Sequence, residues 1–168
     1  MNSAMVSRRN FGARFAALLS GIGIARMVTP TAATAKESST VKKLSYDGKP
    51  SDSKSFITPL VIHRDVIYIA GQGAHSHDKG EQFPMDIENH TTHVLDSVKL
   101  LVETGGGSMD SILMLTVYLA KIDDYDGMNK VFKTYFPNGG PARTTVGVAA
   151  LPGNSLVEIN CIAAVTKK

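Results

Sequence analysis

At 168 residues the chain has the length of one domain, and its formal charge of +3 belongs to the N-terminus rather than to the fold. Setting aside residues 1–35, which hold four arginines and no acid, turns the balance to −1, so no basic surface for gripping nucleic acid is expected. The single cysteine, Cys161, excludes an intrachain disulfide, and no run reaches the ~18 consecutive apolar residues of a membrane-spanning helix.

The N-terminus reads as an address. Arg8-Arg9 precede Phe11, a mildly apolar run covers Phe15 to Ala25, and Ala33-Thr34-Ala35 forms a small-residue cleavage site. The paired arginines resemble a twin-arginine signal, although Gly12-Ala13 stand where an apolar residue is usual. Export to the periplasm is expected, with residues 1–35 removed and no membrane attachment afterwards. Residues 36–55 are polar and read as a leader or linker with a short edge strand at Leu44–Tyr46. The packed domain is expected over 56–168.

Leu60–His63 and Val66–Ala70 are strand runs separated by Arg64-Asp65, and Gly71-Gln72-Gly73 closes the second. Ala74 to Pro84 is a polar loop. From Asp86 the period changes: Val94, Leu95, Val98, Leu101 and Val102 share one helical face, and Gly105-Gly106-Gly107 stops the helix. Ile112–Leu119 is an unbroken apolar run, the pattern of a strand buried on both faces. Asp123-Asp124 can cap a second helix that turns Met128, Val131 and Phe132 inward. Two strands follow, Ala142–Ala149 and Leu156–Val165, joined by a Leu-Pro-Gly-Asn turn.

The order β-β-α-β-α-β-β predicts an α+β architecture of two layers, with both helices on one face of a mixed sheet. The other face is left bare and half polar, which burial against another subunit would explain.

Arg143 stands at the mouth of a strand, where its planar guanidinium can take a carboxylate in two parallel bonds; the alternative is an exposed salt-bridging arginine. Glu158 projects from the last strand between apolar neighbours. With the last two strands paired as a hairpin, it comes near Arg143, either as a general base that orients water or as that arginine's salt-bridge partner.

The run Gly140-Pro141-Ala142-Arg143 through Val165, together with Val66–Gly73 and Tyr125–Pro137, resembles the RidA family, also called YjgF, over about Phe56 to Val165. The resemblance implies a chorismate-mutase-like fold and a homotrimer with clefts between neighbouring chains. It also implies hydrolysis of 2-imino or 2-enamino acids, such as 2-aminoacrylate or 2-iminopropanoate, to 2-keto acids and ammonia. Arg143 matches the family's carboxylate-binding arginine, Glu158 its water-positioning glutamate, and Asn129 an asparagine near the cleft. Gly71 falls on a Ser-Gly pair whose partner here is Ala70. Thr145 replaces a frequent cysteine, and Leu60 replaces a pocket aromatic of one branch. No metal or organic cofactor is implied, because a protonated imine is already electrophilic. The alternative from another class is a module that holds small carboxylates in the same cleft without turnover. Members have also been labelled ribonucleases, against which the charge balance argues.

Other residues carry weaker signals. His75-Ser76-His77 and His90-x-x-His93 have metal-like spacing but no third ligand in sequence. Cys161 alternates inward with Val157 and Ile159 and reads as core, and Tyr68, Tyr118, Tyr125 and Tyr135 read as packing.

Overall fold

The computed structural model describes residues 40–75 and 86–166. The signal-like segment 1–35, and residues 76–84 of the expected loop, lie outside the described residues. Six strands and two helices follow in chain order: β1 (Lys42–Leu44), β2 (Leu60–His63), β3 (Val66–Gly73), α1 (Ile87–Thr104), β4 (Ile112–Leu119), α2 (Tyr125–Tyr135), β5 (Ala142–Gly147) and β6 (Val157–Ala164). They form the expected α+β fold, one mixed six-stranded sheet with two helices. The strand order is β1-β2-β3-β6-β4-β5, and only the β4–β5 pair is parallel.

The helix periodicity translates directly into burial. Val94, Leu95, Val98, Leu101 and Val102 of α1 are inaccessible to solvent and pack over the inward residues of the sheet, Leu115, Val117, Leu119, Val157, Ile159, Cys161 and Ala163. The Asp86 side chain accepts the Asn89 N–H at 2.8 Å, satisfying one of the free donors of the first turn of α1. At the other end Gly105 stays right-handed and Gly106, at φ +86°, takes the left-handed turn. Asp124 occupies the cap position of α2 without a side-chain bond; a 3-10 turn over Ile122–Asp124 leads in instead.

Three expectations are corrected. The edge strand lies two residues earlier than expected, at Lys42–Leu44, and pairs with β2, while Leu44 and Tyr46 pack on the core. The fold therefore begins well before Phe56, and this part of 36–55 is sheet rather than linker. β4 is covered on one face only: Leu113 and Met114 are exposed, because both helices lie on the same side. Most consequential, β5 and β6 do not form a hairpin. β4 lies between them, pairing with β5 in parallel and with β6 antiparallel, so the Leu151–Asn154 connection carries the chain past the end of β4.

Cys161 is 2 % exposed, and burial pushes its thiol up to about 12. The folded protein should therefore leave its one thiol unmodified by a disulfide reagent at pH 8, with stoichiometric labelling only in denaturant. Labelling of the native protein at the rate of a free thiol would contradict the packing described.

Candidate active site: a cation on one face, a carboxylate on the other

Register decides which side chains can meet. Arg143, Thr145 and Gly147 pair with Leu115, Val117 and Leu119, whose side chains face the helices. Arg143 therefore rises on the helical side of edge strand β5 and meets α2. Its Cζ lies 4.5 Å from the centroid of the Phe132 ring and 5.8 Å from that of Tyr125, both within cation–π range. Nη2 donates to the Tyr125 hydroxyl at 3.3 Å and Nη1 approaches Met128 Sδ at 4.0 Å, a weak acceptor. Among the described residues no carboxylate lies within ion-pair distance of Arg143; the two ion pairs are Lys49–Asp47 and Lys130–Glu88. The salt-bridge alternative for this arginine is thus not realised among the described residues.

Asn129 follows Tyr125 by one helical turn, and Thr145 follows Arg143 on the same side of β5. Thr145 Oγ1 is buried without a hydrogen-bond partner among the described residues. Arg143, Thr145 and Asn129 are therefore brought to one edge of the domain, with Tyr125 and Phe132 added. The sequence suggests only packing for both of these aromatics. The available signal was their position: Tyr125 and Phe132 lie seven residues apart and flank Asn129 on one helical stripe.

Glu158 lies elsewhere. It pairs with Tyr118 and with Gly73, and alternation on β6 sends it to the open face, away from the helices. From Glu158 to Arg143 the path crosses two strand spacings and three residues along the strand, about 14 Å between Cα atoms, and the side chains leave opposite faces. One small substrate cannot touch both within a single chain. Among the described residues Glu158 has no hydrogen-bond or ion-pair partner, Arg143 included.

A bulge in β3 makes room for Glu158. The β3–β6 register shifts between Ile69 and Gln72, around Ala70 and Gly71. The buried Gln72 amide donates to the Ala70 and Gly71 carbonyls at 2.9 and 3.2 Å, and the Tyr46 hydroxyl donates to Gln72 Oε1 at 2.9 Å. A methyl group on Gly71 would fall on Glu158 Oε1, so this glycine is the space the carboxylate occupies. Beside it opens a cleft of about 480 Å³, whose walls include Tyr46, Pro59, Ala70, Gly71, Gln72 and His75. Leu60 does not line it. The side chain expected there is fully buried in the core under α1, and Pro59 takes its place at the cleft.

The chain matches the family model described as Endoribonuclease L-PSP over residues 49–165. It belongs to this family. A RutC family protein of Saccharolobus solfataricus is 37 % identical over 99 residues, 59 % of this chain and 79 % of that one. The 2-iminobutanoate/2-iminopropanoate deaminase of Rattus norvegicus is 29 % identical over 126 residues, 75 % and 92 % of the two chains. Among solved L-PSP-like structures, E. coli TdcF with bound serine superposes with a TM-score of 0.65 at 26 % identity, covering 74 % of this chain and all of that one. The name of the family model and the name of the rat relative point to different chemistries on one L-PSP fold, so the choice falls to the site.

The first histidine of the α1 pair is structural. His90 is buried, and its Nδ1 accepts the Leu156 N–H at 3.1 Å, fixing the approach to β6 two residues before Glu158. Among the described residues no three His, Cys, Asp or Glu side chains gather as a metal site. Desolvation lowers the His90 pKa below the usual 6.5, with His93 adding to the shift and Asp86 opposing it. The unfolded chain then takes up the proton first, so this contribution to stability is full above pH 6.5 and is lost as pH falls through and below it. Urea midpoints measured from pH 7.5 to 5 should drop more steeply for the natural protein than for His90→Asn, which keeps an acceptor but cannot titrate. Parallel pH profiles for the two would refute the assignment.

Proposed function

We propose that the protein is a cofactor-free hydrolytic deaminase of 2-imino and 2-enamino acids, working in clefts between the subunits of a homotrimer. One observation carries the reading: a guanidinium laid on an aromatic ring at the domain edge has no carboxylate partner among the described residues, and the unpaired glutamate on the opposite sheet face cannot reach it within the chain. Each half of the chemistry is present and each lacks the other. A cyclic assembly that sets the edge of one subunit against the open face of the next unites them around every interface.

The open face supports this arrangement. Tyr68, Met114 and Val146 are exposed on it, and Asn160 Oδ1 is buried there without a partner among the described residues. Apolar area of this kind on a small domain is what a subunit interface covers. The near-neutral charge outside residues 1–35 favours a small acid over RNA as the occupant.

The reaction follows from the two halves. Arg143 holds the substrate carboxylate by paired charged bonds, each contributing about 1.5–3 kcal/mol where water is excluded, and so fixes the adjacent imine carbon. Glu158 of the adjoining subunit accepts a proton from a water as its oxygen bonds to that carbon. The C=N π electrons of the protonated imine move to nitrogen and give a neutral tetrahedral aminoalcohol. Return of the proton from Glu158 to nitrogen makes ammonia the leaving group. As the C–N bond breaks, the O–H electrons form the keto C=O, and the hydroxyl proton passes to Glu158 and on to the departing ammonia as ammonium, so water is the only co-reactant. An enamine enters the same route after protonation on carbon.

The test is complementation between inactive variants. An amino-acid oxidase generates the imine, and its decay to keto acid is followed with and without the protein. Arg143→Ala and Glu158→Ala should each abolish the acceleration while preserving the oligomer. Unfolding and refolding them together should restore about one quarter of the natural activity, the share of interfaces that pair an intact arginine with an intact glutamate. No recovery on mixing would remove the shared site. Keto-acid binding with imine decay that the protein does not accelerate would favour the non-catalytic carboxylate module.

A further inference from the structure

We infer that Tyr125 is a second arm of the carboxylate site, donating its phenolic hydrogen to the same substrate oxygen system that Arg143 binds; this rests on the function proposed above. The inference begins with hydrogen-bond counting. A phenol oxygen offers one donor and accepts through its lone pairs, whereas a guanidinium only donates. In the 3.3 Å contact Arg143 Nη2 is therefore the donor and the Tyr125 oxygen the acceptor. The Tyr125 hydrogen must point away from the cation, toward some other acceptor.

None is supplied by the described residues: the Tyr125 hydroxyl has no bond besides that from Arg143, and the side chain is 41 % exposed at the domain edge. The guanidinium is similarly under-used. Of its five N–H groups, one meets this phenol and one a thioether sulfur. An O–H and several N–H donors thus stand side by side on α2 and β5, with Phe132 backing the cation at 4.5 Å and no described acid within ion-pair distance of it. A planar anion with two acceptor atoms matches this set: one oxygen to the guanidinium, the other shared between guanidinium and phenol. A phenylalanine at position 125 would keep the ring contact and lose the donor.

The experiment uses the full oligomer with pyruvate as the probe. Calorimetric titration gives its Kd for the natural protein, Tyr125→Phe and Arg143→Ala, and imine turnover gives KM and kcat. Tyr125→Phe should weaken pyruvate binding about tenfold, the loss of one hydrogen bond to a charged group, and raise KM similarly with kcat and thermal midpoint unchanged. Pyruvamide, which lacks the carboxylate, should bind the natural and Tyr125→Phe proteins alike. Pyruvate affinity unchanged in Tyr125→Phe but lost in Arg143→Ala overturns this inference and leaves the deaminase reading standing. Equal affinity in all three proteins overturns both, and a fall in kcat at constant KM in Tyr125→Phe overturns the role given to Tyr125 alone.

Discussion

Everything about the site turns on a half-buried positive charge that no described residue neutralises. An arginine at the edge of a sheet ordinarily points to water or finds an acid. Here it lies over Phe132 and donates to the Tyr125 hydroxyl. Stacking of this kind restricts the fork, which would lower the ordering cost of the carboxylate binding proposed for it. The parallel β4–β5 pairing is what makes this possible, because it places Arg143 on the helical side where α2 supplies the aromatic surface.

On the opposite face the glutamate is prepared by different means. A bulge, a glycine and a braced glutamine clear a space into which Glu158 projects beside an open cleft. The two preparations use separate elements and separate faces of one sheet, so the proposed chemistry requires a second chain. The L-PSP fold hosts proteins carrying both nuclease and deaminase names. For this chain the distinguishing features are local: a cation and a carboxylate that have no ion-pair partner among the described residues, and a near-neutral charge balance outside residues 1–35.

Much of the fold was legible in the sequence because burial periodicity is a local property. The helical spacing from Val94 to Val102 and the alternation from Val157 to Ala163 predicted the buried residues one by one. Strand neighbours were less accessible. Two strands joined by a short turn suggest a hairpin, and nothing within Ala142–Val165 reveals that β4 lies between them. That pairing is a long-range choice, made where the apolar β4 offers two edges. The error mattered for the site, since it placed Glu158 beside Arg143 in one chain. Leu60 was misplaced for a related reason: the strand phase that sends it into the core is set by pairing with Ile69, not by its own neighbours. Tyr125 escaped notice because an aromatic at helical spacing usually means packing, and only the contact with Arg143 distinguishes it.

The most direct measurement is a crystal structure of the oligomer soaked with a 2-keto acid. The carboxylate should lie against the Arg143 guanidinium, with the keto carbon facing a Glu158 contributed by a different chain. A ligand bound elsewhere, or an Arg143 turned to open solvent with no neighbouring subunit within reach, would contradict the shared site.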